Sequence, residues 1–63
     1  MEYKASIYEA GSGKFLTHEN NGEFVLGDEK DRIIFYEEAD AESTLQMLND
    51  ETDLCFVLLD ENK

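Results

Sequence analysis

"KFLTHENNGEFVLG", Lys14 to Gly27, decides the fold. At its centre stands Asn21-Gly22, flanked by "KFLTHE" and "EFVLG". A type I′ turn needs positive φ at both central residues, and Asn-Gly supplies that at little steric cost. The two flanks therefore read as strands joined in a hairpin, and the sheet as antiparallel. Toward the N-terminus, "YKASIYEA" (Tyr3 to Ala10) alternates, with Tyr3, Ala5 and Ile7 on one face. Period-two patterning of aromatic and β-branched residues reads as another strand. "GSG", Gly11 to Gly13, is the turn between them.

Toward the C-terminus, "DEKD" (Asp28 to Asp31) reads as a solvated turn and "RIIFYEE" (Arg32 to Glu38) as a fourth strand. Asp40 is a good helix N-cap, with Glu42 in the first turn. Ala41, Leu45 and Leu48 follow at i, i+4 and i+7, one face of a helix of about ten residues that Asn49-Asp50 ends. "DLCFVLLD" (Asp53 to Asp60) completes the chain as a strand apolar on both faces. The expectation is one α+β domain over residues 1–63. An antiparallel sheet of four or five strands carries one helix packed on one face, in the order β-β-β-β-α-β.

A chain of 63 residues buries only about 60% of its unfolded surface and is marginal alone. Leu54, Phe56 and Leu58 point one way in the last strand, Cys55, Val57 and Leu59 the other, yet one helix covers one face. A run apolar on both sides asks for cover on both sides, so a homodimer through the sheet is expected. The competing expectation is that sheet twist and curled hairpins cover the second face. Cys55 is the only cysteine and reads as a buried reduced thiol, in keeping with a reducing compartment. The N-terminus carries no signal-peptide pattern, and no apolar run approaches the roughly 18 residues of a membrane span. A cytoplasmic protein with no membrane association is expected.

No constellation for catalysis stands out. "GSGK" lacks the leading glycine and the trailing Ser or Thr of a phosphate loop, with Tyr8 and Phe15 in those places. "DEKD" lacks the alternating acids and glycine of a calcium loop. His18 has no partner for a zinc site, and one histidine with one cysteine makes nucleophilic catalysis improbable. The expectation is a binding protein with no cofactor, metal or enzymatic activity.

Charge is the outlying feature. Sixteen Asp and Glu stand against five Lys and Arg, a net charge of −11. From Ile33 to Asn62 there is no Lys or Arg at all. Self-repulsion of this kind destabilises a compact state. Asp40 and Glu42 have a local use at the helix start. Glu37, Glu38, Asp50, Glu51, Asp53, Asp60 and Glu61 have none, and cluster at the ends of expected elements, where they could share one rim. They are the candidate partner-binding surface. Direct nucleic-acid binding is disfavoured, because phosphates attract Lys and Arg. A basic, DNA-binding protein is the natural partner. Carboxylates about 6.6 Å apart along a strand or about 5–6 Å apart along a helix approximate a phosphate track spaced roughly 3.4 Å per strand.

In shortness, charge and its cation-free span, the chain resembles the small acidic DNA-mimic proteins of bacteriophages and mobile elements. The resemblance covers general character over the whole chain and no aligned motif. It implies a phage-encoded inhibitor, acting in a bacterial host, that occupies the DNA site of a basic protein. An HU-like nucleoid protein, a restriction or CRISPR nuclease, and RNA polymerase are the targets it suggests. The alternative is a small regulatory adaptor that binds a protein through an exposed sheet edge or an apolar, aromatic sheet face, with Tyr3, Tyr8, Phe15, Phe24 and Tyr36 as anchors. Core packing is the plainer role for most of those aromatics.

Overall fold

A computed structural model describes residues 2–62; the two terminal residues of the expected domain lie outside it. Strands β1 (Ala5–Glu9), β2 (Phe15–Asn20) and β3 (Glu23–Gly27) come first. A short 3-10 turn (Glu29–Asp31), helix α1 (Glu38–Glu51) and strand β4 (Phe56–Asp60) follow. The sheet is antiparallel and four-stranded, in the order β3-β2-β1-β4. The α+β architecture expected from the sequence is therefore present, with one helix over the sheet.

The hairpin is built as Asn21-Gly22 requires. Their φ angles are 53° and 94°, and Asn20 pairs with Glu23 across the turn. Ile7, Leu16, Leu48 and Phe56 form the buried centre of the core, with Phe24, Leu45 and Leu58 packed against it. Phe24 meets Phe56 edge-on, their ring centroids 5.5 Å apart, a favourable aromatic geometry.

The expected fourth strand, Arg32 to Glu38, makes only one bridge, Ala5 with Phe35. It works as a wedge. β1 and β2 share a single register pair, Tyr8 with Phe15, and then diverge. Into the gap comes Ile33, whose N–H donates to the Leu16 carbonyl at 2.9 Å. Phe35 exchanges two backbone bonds with Ala5, at 2.7 and 3.0 Å. Ile33 and Phe35 reach the core from this position, while Tyr36 is exposed. A segment serving two strands in turn satisfies its backbone groups without a ladder of its own.

Helix α1 starts earlier than expected. Glu37, not Asp40, holds the N-cap position, with extended φ and ψ and no side-chain cap bond. Glu38 and Asp40 lie in the first turn, where negative charge favours the helix through its dipole. The helix runs 14 residues, to Glu51. Thr52 closes it with its N–H and hydroxyl both donating to the Leu48 carbonyl, at 3.1 and 2.7 Å.

The last strand is shorter than its apolar run. It begins at Phe56, and Leu54 and Cys55 precede it as exposed residues. The expectation of a buried Cys55 thiol is thus overturned. The turn that brings the chain back from α1 uses Thr52 to Leu54, leaving Cys55 short of the covered part of the sheet. Phe56 and Leu58 face the core, while Val57 and Leu59 lie on the other side, half-buried and exposed respectively.

Candidate partner-binding surface

The seven candidate carboxylates do not share one rim. Glu37 and Glu38 sit at the start of α1; Asp50, Glu51 and Asp53 sit at its end. At 1.5 Å per residue these groups are about 20 Å apart. β4 runs back beneath the helix, so Asp60 returns to the Glu38 end. There a groove of about 210 Å³ opens, lined by three acids, Glu38, Glu42 and Asp60, and one cation, Lys4, with Tyr3 and Leu58 among its other walls. All the candidates except Glu61 are exposed.

Glu61 belongs to a different structure. Arg32 donates from Nε to its Oε2 at 2.7 Å and from Nη2 to its Oε1 at 3.0 Å. The Ser6 hydroxyl donates to Oε2 as well. These three residues lie on the sheet face away from α1, where Ser6 is fully buried. The Arg32 guanidinium, then the Ser6 hydroxyl, hold the Glu61 carboxyl down at about 2. The hydrogen bond to Glu61 in turn raises the Arg32 pKa. Glu61 is committed inside the fold and leaves the set of acids free to meet a partner. Elsewhere on that face, Tyr8 stacks at a tilt on Phe15, and Val25 and Leu59 are exposed.

Glu42 is the residue that sequence reasoning assigned only to the helix start. Its spacing from Glu38 is i to i+4, the signal that could have placed both on one face. A like-charge pair at that spacing costs about 0.2–0.5 kcal/mol. Among the described residues the only salt bridge is Arg32–Glu61, so neither glutamate is in an ion pair with a described residue, Lys4 of the groove included. Nor do three His, Cys, Asp or Glu among the described residues converge to hold one metal ion.

Glu9 explains the "GSGK" turn. It is buried, and its carboxylate accepts the Gly11 N–H at 2.7 Å and the Ser12 N–H at 2.8 Å. Those backbone bonds, Gly11 first, lower its pKa. A second concavity lies between the β2–β3 turn and α1, but its one acid, Glu19, accepts the Gly22 N–H. His18 is exposed. No described helix is long and apolar enough to cross a membrane. In comparisons with family models, curated proteins and solved structures, no match to the chain is found.

Proposed function

We propose that this chain is an acidic binding protein that occupies the DNA-binding face of a basic protein in place of DNA. The observation that supports it most is the set Glu37, Glu38, Asp50, Glu51 and Asp53. All five are exposed, and none has a salt-bridge partner among the described residues. They mark the two ends of a helix about 20 Å long, a reach of about six phosphates on one DNA strand. Asp60 and Glu42 extend the first end across the groove. A basic nucleoid protein, a restriction or CRISPR nuclease, and RNA polymerase are the target classes. Binding displaces counterions from the basic partner, as DNA does, and therefore weakens steeply with salt.

Affinity capture from bacterial lysate, with salt-gradient elution and duplex-DNA competition, tests the reading. The expected result is a nucleic-acid-binding protein released early in the gradient and displaced by DNA. Capture of none removes the reading. Neutralising Glu37, Glu38, Asp50, Glu51 and Asp53 together, as Gln or Asn, weakens capture by about tenfold or more, at a few tenths of a kcal/mol or more per charge. The fold persists in that variant. The expected homodimer would use the face away from α1, where Val25 and Leu59 are exposed. Sedimentation as a monomer at micromolar concentration would remove it.

A further inference from the structure

The two sides of β4 are not equivalent. On the inner side, Glu61 N–H donates to the Lys4 carbonyl at 2.9 Å and Ala10 N–H to the Cys55 carbonyl at 2.8 Å. With the register Ser6 to Leu59 and Tyr8 to Val57, these bonds fix the parity of the antiparallel pair. Cys55, Val57, Leu59 and Glu61 turn their peptide groups to β1. Phe56, Leu58 and Asp60 turn theirs outward, along the edge of the sheet.

At Phe56 the outward groups are taken. Its N–H donates to Asn49 Oδ1 at 2.7 Å, and its carbonyl accepts from Asn49 Nδ2 at 3.1 Å. A side-chain amide there does what a neighbouring strand would do. Among the described residues, no other backbone bond occupies the outward groups of Leu58 or Asp60. The edge is closed at its start and open over the rest.

The acidic groove lies beside that open reach, and Leu58 and Asp60 belong to both. The Tyr3 hydroxyl in its lining is buried without a hydrogen-bond partner. Burial first, then the charges of Glu38, Glu42 and Asp60, push the Tyr3 pKa up. The phenol stays protonated there, with a lone pair and a proton both unused. An open strand edge pairs with an extended chain through main-chain bonds, while pockets beside it select side chains. At this edge Glu38, Glu42 and Asp60 stand together, so a second copy docking edge to edge brings the same acids against them and is repelled, while a basic chain is attracted.

We propose that an extended, basic segment of the partner adds to the sheet at the outer edge of β4. Its backbone pairs with Leu58 and Asp60, and an arginine side chain enters the groove of Glu38, Glu42 and Asp60. Arginine fits because its planar fork of donors reaches more than one carboxylate at once. The Asn49 amide sets the limit of the added strand. The inference rests on the reading that the partner is basic, and adds which element receives it.

The test uses a labelled synthetic peptide alternating arginine and valine, and the same peptide with all its backbone nitrogens methylated. Methylation keeps every charge and removes the strand-forming donors. The expected result is hydrogen exchange slowed at the Leu58 and Asp60 amides by the first peptide. The methylated peptide binds roughly tenfold more weakly, in line with the loss of at least one backbone bond. Asp60→Pro removes an outward N–H without touching a bond to β1, and weakens binding more than Asp60→Asn does. If the proline variant does not fold, the two peptides on the unaltered chain decide. Equal binding of both peptides, or unchanged Leu58 and Asp60 exchange at saturation, overturns strand addition. In either case binding itself leaves the acidic-surface reading standing. No binding of either peptide at low salt removes both. Concentration-dependent protection of these amides without peptide assigns the edge to a second copy and overturns the proposal.

Discussion

Asp60 and Glu61 are neighbours in sequence and opposites in circumstance. Alternation along β4 sends Glu61 to the face away from the helix, where Arg32 and Ser6 bind it on both oxygens. Asp60 goes to the groove, where the nearby charges that raise the Tyr3 pKa are other carboxylates, Glu38 and Glu42. One acid holds the fold together and the other adds to its repulsion. Uncompensated charge is therefore a property of a region, and the net figure for the chain understates how unevenly it falls.

The sharpest way to break this contrast is to neutralise each neighbour in turn. Glu61→Gln removes a charge-assisted, two-bond contact and leaves the Arg32 guanidinium, 25% exposed, without its anion. A loss of about 1–3 kcal/mol is expected in urea unfolding, toward the lower end because the pair is partly solvated. Asp60→Asn should stay within about 0.5 kcal/mol of the parent. Equal losses would erase the distinction.

Acid titration sharpens the same comparison. The folded Glu61 carboxyl is depressed from its ordinary 4.5 to about 2. Its contribution is thus complete above pH 4.5 and is lost as pH falls toward 2. The stability difference between parent and Glu61→Gln should be flat above that window and shrink within it. A constant difference down to pH 2 would mean that the carboxyl is not held low. The smallest effect is expected at Glu42→Gln, which relieves the repulsion with Glu38. It should stabilise the chain by about 0.2–0.5 kcal/mol, read as a higher urea midpoint that shrinks with added salt.

The β2–β3 hairpin was legible because Asn21-Gly22 states its backbone requirement locally. So was the inward face of α1, since Ala41, Leu45 and Leu48 repeat at the helix period. The wedge at Ile33 to Phe35 was not. Its apolar residues on both sides are what a central strand also shows, and only the divergence of β1 from β2 tells them apart. Arg32 and Glu61 are 29 positions apart, and no local pattern announces their pairing. Counting cations within the C-terminal span hid it, because the cation comes from before the span. Cys55 misled for a related reason: an apolar run does not say where the strand inside it begins. Glu42 was within reach through its i, i+4 spacing from Glu38. The groove itself also needs Tyr3 and Asp60, and their approach depends on how β1 and β4 pair.

The Glu9 carboxylate in the β1–β2 turn has a consequence for how that loop is kept in order. An anion in solution would hold the Gly11 and Ser12 amides only while its concentration exceeded its dissociation constant. Glu9 is a ligand on a tether of two or three residues, with an effective concentration in the millimolar range or above. These two bonds therefore do not depend on anions in the buffer while the carboxylate is ionised, a range that its lowered pKa widens. The loop also has no vacancy for a phosphate to fill, since the chain brought the occupant along when it folded.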